Sequence, residues 1–165
     1  MPSVRIFKEQ KDQLYFLTFT VHNWYYIFDR HNRFKILEDS FVHCQKHKGL
    51  KVYAFVFMLN HLHFIGAAPD LISVIRDMKT FLSKEMQKNI IATEPETIKL
   101  FETKDGYHFW QDNNYPELIT SEEFLEQKIN YIHYNPVRKE YVHYPEDWRW
   151  SSVNKIPTSI AIESF

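Results

Sequence analysis

His61 and His63 flank a single apolar residue, Leu62, directly after the β-prone run at 52–59. In an extended strand alternate side chains share a face, so both imidazoles project together while Leu62 turns into the packing. Two imidazoles on one face can share a metal ion, whose further ligands must come from another element. Tyr131 and Asn135 stand four residues apart in a segment of helical periodicity, which sets a phenol and an amide about one turn apart on one face. If that face packs over the histidines, the amide oxygen becomes a third ligand and the phenol lies beside open coordination positions. Two nitrogens and one oxygen leave room for a non-bridging phosphate oxygen, which suits phosphoryl transfer with tyrosine as the nucleophile. A phenol in water ionises near ~10, so attack at neutral pH needs a metal or a base, and it yields a covalent phosphotyrosine.

Plain structural readings stand beside these. A histidine pair on a strand is, by spacing alone, more often an ordinary polar position than a ligand pair, and Asn135 before Pro136 is as readily a helix cap as a ligand. Tyr134 competes with Tyr131 on spacing alone. His133 falls roughly opposite Tyr131 on the helix, which makes it structural or solvent-facing. Trp148 and Trp150 read as core or tail anchors.

The elements that must position these groups are legible. Residues 14–21 form a strand with Tyr15, Leu17, Phe19 and Val21 on one face and Thr18 and Thr20 on the other. Asp29 is the expected cap of a first helix with an apolar stripe of Phe34, Leu37, Phe41 and Cys44, and Gly49 is its expected left-handed stop. Strands at 51–58 and 62–67 form a hairpin turning at Leu59-Asn60, with the histidine pair at its edge. Asp70 caps a second helix with the stripe Leu71, Val74, Ile75, Met78, Phe81, Leu82 and Met86, and its other face is basic through Arg76, Lys79, Lys84 and Lys88. Residues 91–106 lack periodicity and read as a loop, and 109–119 as a short extended segment. Thr120 and Glu123 have capping-box spacing for a third helix carrying Leu125, Ile129 and Ile132, expected to end near Tyr134 because Pro136 disfavours helical dihedrals at Asn135. The order predicts one α+β sandwich, an antiparallel sheet with helices packed on it, as a single domain over 1–165 with its core at about 14–153.

A chain of 165 residues with 44% apolar and 17% aromatic composition can bury a full core, so a metal would be free for chemistry. The single cysteine excludes an internal disulfide and fits a reducing compartment. No apolar run reaches the length of a membrane span, and residues 1–5 lack the apolar stretch of a signal peptide, so no membrane partner and a cytoplasmic location are expected. A net charge of −1 argues against coating nucleic acid by overall charge, so any such binding uses a local patch.

Five motifs, in order, resemble one family. They are Phe16-Leu17-Thr18-Phe19-Thr20-Val21, Phe57-Met58-Leu59-Asn60-His61-Leu62-His63, Phe109-Trp110-Gln111, Tyr131-Ile132-His133-Tyr134-Asn135-Pro136-Val137-Arg138, and Pro145-Glu146-Asp147-Trp148-Arg149-Trp150-Ser151-Ser152. The chain resembles the HUH single-tyrosine transposases and, within them, the REP-associated tyrosine transposases. The ordered set, above all the tyrosine-bearing Asn-Pro-Val segment, is far more specific than His-x-His alone. Two departures stand out: Leu59 replaces the usual proline, and Arg138-Lys139-Glu140 replaces a stretch that usually has a small residue and glycine.

The resemblance implies a ferredoxin-like HUH nuclease fold, His61 and His63 as ligands of Mg2+ or Mn2+ with Asn135 as the third, and Tyr131 as nucleophile. That tyrosine cuts single-stranded DNA of short palindromic elements that fold into hairpins, keeps the 5′-phosphate and releases a 3′-hydroxyl that can later rejoin the strand. Arg76, Lys79, Lys84 and Arg138 are the expected DNA contacts, with aromatic rings stacking on unpaired bases. The resemblance leaves monomer and homodimer open. The competing reading is a domesticated hairpin-binding protein that does not cut. A zinc hydrolase using water ranks last, for want of a carboxylate base beside the ligands.

Overall fold

The computed structural model describes residues 13–112 and 114–165. The amino-terminal stretch at 1–5 and residue 113 of the extended segment lie outside the described residues. Strand β1 (Tyr15–Thr20) leads through a 3-10 turn to α1 (Arg33–His47), β2 (Lys51–Phe57), β3 (His61–Ala67) and α2 (Leu71–Thr93). The short strands β4 (Glu102–Thr103), β5 (Gly106–Tyr107) and β6 (Glu117–Leu118) precede α3 (Glu122–Arg138).

The main sheet is antiparallel in the order β2-β3-β1-β6, with helices on both faces. Strict alternation along β1 divides it. Tyr15, Leu17, Phe19 and Val21 join the large core shared with α1 and α2, while Phe16 joins a smaller cluster with Ala54, Val56, Ile65 and Ile132 of α3. The α+β sandwich expected from the sequence is the fold observed, but β3 is an inner strand flanked by β2 and β1 rather than an edge. That matters for the site, because register then fixes what faces each histidine: Thr18 opposes His63 and Thr20 opposes His61.

Most element ends follow their local chemistry. Asp70 accepts a hydrogen bond from the Ser73 amide at the start of α2. Gly49, at φ +68°, ends α1 in the left-handed region while the Leu50 amide reaches back to the Cys44 carbonyl at 3.2 Å. Cys44 is buried, as its place on the apolar stripe implies.

Four boundaries differ from expectation. α1 starts at Arg33 after a left-handed Asn32 that makes no side-chain cap, and Asp29 instead pairs with Arg30 at 2.9 Å. Ser121, not Thr120, caps α3 by accepting from the Phe124 amide at 3.1 Å. α3 runs through Asn135 and Pro136 to Arg138, so Asn135 is not a cap. A proline so near the helix end forfeits a single backbone bond, and burial of Ile132, Asn135 and Pro136 offsets the local preference. Finally, 91–106 is not structureless: α2 continues to Thr93, a 3-10 turn covers Pro95–Phe101, and β4 and β5 form a small hairpin.

The entry to α1 is held by an ion pair instead of a cap. The Arg33 side chain is fully buried and donates to the Ile27 carbonyl and Asn89 Oδ1, while Glu94 Oε2 lies 2.6 Å from its guanidinium. Burial pulls the Arg33 pKa down and Glu94 supports the charge, and the two arginines around Glu94 hold its carboxyl below the usual range against its own burial. Glu94→Ala would strand that buried cation. Because the Glu94 side chain is itself 22% exposed, the expected cost is about 2–3 kcal/mol, below the full penalty for breaking a buried pair. Urea denaturation measures it, and a loss under about 0.5 kcal/mol, the range of an ordinary surface change, contradicts the role given to the pair.

Candidate active site

Register and helix packing bring four of the predicted site residues to one cleft. His61, His63, Tyr131 and Asn135 line a space of about 250 Å³ together with Thr18, Thr20, Trp24, Asn60 and Lys139. The rings of His61 and His63 lie 4.8 Å apart, and the Tyr131 ring lies edge-on to His63 at 5.2 Å. The phenol is accessible, since Tyr131 is 41% exposed.

Each imidazole is oriented from behind. Asn60 Nδ2 donates to the Trp24 carbonyl at 3.1 Å, which turns Asn60 Oδ1 towards His61 Nδ1 at 2.7 Å. His61 Nδ1 must then carry the proton, leaving Nε2 with its lone pair. His63 Nδ1 lies 2.8 Å from Thr18 Oγ1, and the tautomer that a ligand needs is the one in which Nδ1–H donates to that hydroxyl. Burial lowers the His61 pKa to about 4, with Lys139 adding to the effect. His63 is pushed well below its ordinary range by burial first, then by His61, Lys128 and Arg138. Both rings are therefore neutral at physiological pH, the form that binds a cation.

Two observations bear on a metal. Among the described residues, no three His, Cys, Asp or Glu side chains cluster as a metal site, so an amide or hydroxyl oxygen would have to complete the set. His63 Nε2 and Asn135 Oδ1, both lining the cleft, are buried without a hydrogen-bond partner. Two buried acceptors left unmatched are costly unless a cation or donor meets them. With the Asn135 cap excluded, its buried amide oxygen fits a hard divalent ion beside two imidazoles.

Positive charge gathers around the phenol. The Arg138 guanidinium lies 4.5 Å from the centre of the Tyr131 ring and donates to the Tyr131 carbonyl. Lys128 Nζ sits 4.3 Å over Phe16 and 5.5 Å from the Tyr131 ring, held by Glu117 at 3.4 Å. Lys128 and Lys139 were missed in the sequence, although Lys128, Tyr131, Asn135 and Arg138 recur at intervals of three and four along one helical stripe. Arg76, Lys79 and Lys84 are not at this cleft: α2 packs on the opposite face of the sheet. There Arg76 contacts Asp77, and Lys79 lies half-buried 5.0 Å over Phe19.

The remaining expectations fall out simply. His133 exchanges a hydrogen bond with Ser152 Oγ at 2.8 Å, Trp148 donates to the Phe57 carbonyl, and Trp150 stacks on Phe34. All three tie the C-terminal segment to the body. Leu59 uses its carbonyl to accept from Ile27 and Phe28, so its departure from proline touches no ligand. Glu140 has φ +61° just past α3, in the backbone region that glycine occupies freely.

The fold is similar to that of a REP-associated tyrosine transposase, the family the motifs resemble. A protein of Haemophilus influenzae described as a REP-associated tyrosine transposase is 25% identical over 151 residues, covering 88% of this chain and 82% of its own. A solved REP-associated tyrosine transposase bound to a REP hairpin shares the architecture at a TM-score of 0.70 and 17% identity, covering 100% of this chain and 95% of that one. No family profile matches the chain.

Proposed function

We propose that this chain is a metal-dependent DNA transesterase that cuts and rejoins single-stranded DNA beside a hairpin through Tyr131. The observation that carries this is the cleft itself, where an accessible phenol stands 5.2 Å from the His63 ring in a site whose ligand atoms are otherwise unmatched. The similarity to a REP-associated tyrosine transposase and the hairpin bound to the structural neighbour support the substrate class.

Residues of this chain supply most of the chemistry. His61, His63 and Asn135 would hold Mg2+ or Mn2+, and such an ion polarises a bound phosphate and offsets charge on the displaced oxygen. The Tyr131 oxygen forms a bond to phosphorus as the bond to O3′ breaks. The phenolic proton leaves, O3′ takes up a proton, and the strand ends as a free 3′-hydroxyl and a 5′-phosphotyrosine. Because the phosphodiester energy is kept in that linkage, a 3′-hydroxyl can reverse the step without ATP. Arg138, Lys128 and Lys139 bring positive charge to the phosphate entering the cleft. Arg76, Lys79 and Lys84 can contact only DNA that passes round to the α2 face.

A hairpin oligonucleotide with single-stranded flanks, incubated with the protein and Mn2+, tests the reading on a denaturing gel. The 3′-labelled fragment should migrate with the protein and the 5′-labelled fragment should be released with a free 3′-hydroxyl. Hairpin binding without any covalent species would favour the non-cutting DNA-binding reading instead. The zinc hydrolase reading finds no support in the cleft, where none of the described lining residues is a carboxylate that could serve as base.

A further inference from the structure

We infer that Trp24 is a stacking platform for an unpaired nucleobase adjoining the phosphate that Tyr131 attacks; this rests on the transesterase reading above. Many aromatic rings pack in the core behind the sheet, but Trp24 is 61% exposed at the rim of the catalytic cleft. Asn23 and Trp24 are consecutive non-glycine residues at φ +52° and +54°. A bulky side chain in that region is a conformational outlier, kept only where surrounding structure enforces it.

The surroundings do enforce it. The His22 amide donates to the Phe109 carbonyl at 2.8 Å and the Trp24 amide to the Val21 carbonyl at 2.9 Å. On the other side, the amides of buried Ile27 and Phe28 both donate to the Leu59 carbonyl. An exposed indole on a turn pinned at both ends is a rigid surface that gains nothing from burial within the chain. A nucleobase offers the flat apolar partner it lacks, and base–aromatic stacking tolerates any sequence.

The coupling to chemistry is short. Asn60 donates to the Trp24 carbonyl and, through its other amide atom, accepts from His61. One side chain therefore fixes the indole's backbone and the tautomer of a metal-ligand candidate together. A base held on Trp24 would carry its attached phosphate into the cleft lined by His61, His63 and Tyr131, so Trp24 is a positioning residue and not a catalytic one.

The full chain in EDTA, where no strand is cut, is titrated into hairpins bearing 2-aminopurine at successive positions of a single-stranded flank. One position should lose fluorescence several-fold on binding. Trp24→Ala should abolish that quench and weaken binding of the flanked hairpin about tenfold, while a blunt hairpin binds as before and Trp24→Phe keeps most of the effect. With Mn2+ present, cleavage by Trp24→Ala should fall mainly through KM. Quenching that survives in Trp24→Ala, or equal loss of flanked and blunt hairpin binding, overturns the inference while leaving the transesterase reading intact. Failure of the unaltered chain to bind any hairpin overturns both.

Discussion

Tyr131→Phe abolishes the covalent protein–DNA species while hairpin affinity changes by less than about threefold. The substitution removes one oxygen from a side chain that is 41% exposed and leaves its ring contacts with Phe16, His63 and the Arg138 guanidinium in place. No buried hydrogen bond is lost, so stability should stay within about 0.5 kcal/mol of the unaltered chain. The chemical loss is total because, among the described residues, no second phenol lines the cleft, and the Thr18 hydroxyl is engaged with His63. Tyr134, three residues on, belongs to another part of the helical surface and is not among the cleft residues. A denaturing gel gives the answer in one lane. An adduct of undiminished yield in Tyr131→Phe removes the nucleophile from the account.

The second large effect is that of His63→Ala, which should lower Mn2+ affinity by on the order of a hundredfold or more and cleavage with it. Removing even the outer partners of a metal-bound histidine commonly costs about 10–100-fold, and the ligand itself should cost no less. His63 is nearly buried, and its removal also strands Thr18 Oγ1. Circular dichroism must therefore confirm that the sheet survives. His61→Ala provides the second reading of the same claim at a less buried position, where the hydrogen-bond partner left behind is Asn60 Oδ1. Calorimetric titration with Mn2+ and the cleavage assay must move together in both variants. Unchanged metal affinity in either one contradicts the ligand assignment.

The fold was legible wherever a period decided it. Alternation along β1 predicted which side chains enter the core, and the spacing of His61 and His63 predicted that both rings would project from one face. What escaped was set by tertiary context. The strand carrying the histidines looked peripheral because pairing of β1 with β3 joins residues more than forty apart, which no local pattern records. Asn135 looked like a cap because the rule for a residue before proline is local, whereas its burial over the sheet keeps it helical. Arg33 passed unnoticed because its burial depends on Glu94 and Asn89, brought to it by the packing of α2 against α1.

The site was legible in its types and only partly in its surroundings. Tyr131, His61, His63 and Asn135 come together as the spacing and resemblance suggested. The basic face of α2 was visible in composition, but which side of the sheet it covers depends on the direction of the apolar stripe on β1. Lys128 and Lys139 lie beside the cleft because α3 covers the opposite face, which the sequence of α3 alone does not disclose. Trp24 could not have been found by period or motif, since its exposure follows from a turn in an uncommon backbone region.

Crystals of Tyr131→Phe with a flanked hairpin and Mn2+, read by anomalous diffraction at the manganese edge, test the centre of this account most directly. The prediction is a single strong peak within roughly 2.3 Å of Nε2 of both His61 and His63, with Asn135 Oδ1 as a third ligand and the ring at 131 beside a bound phosphate. A hairpin seated on the protein with manganese elsewhere, or with the phosphate remote from residue 131, would contradict it.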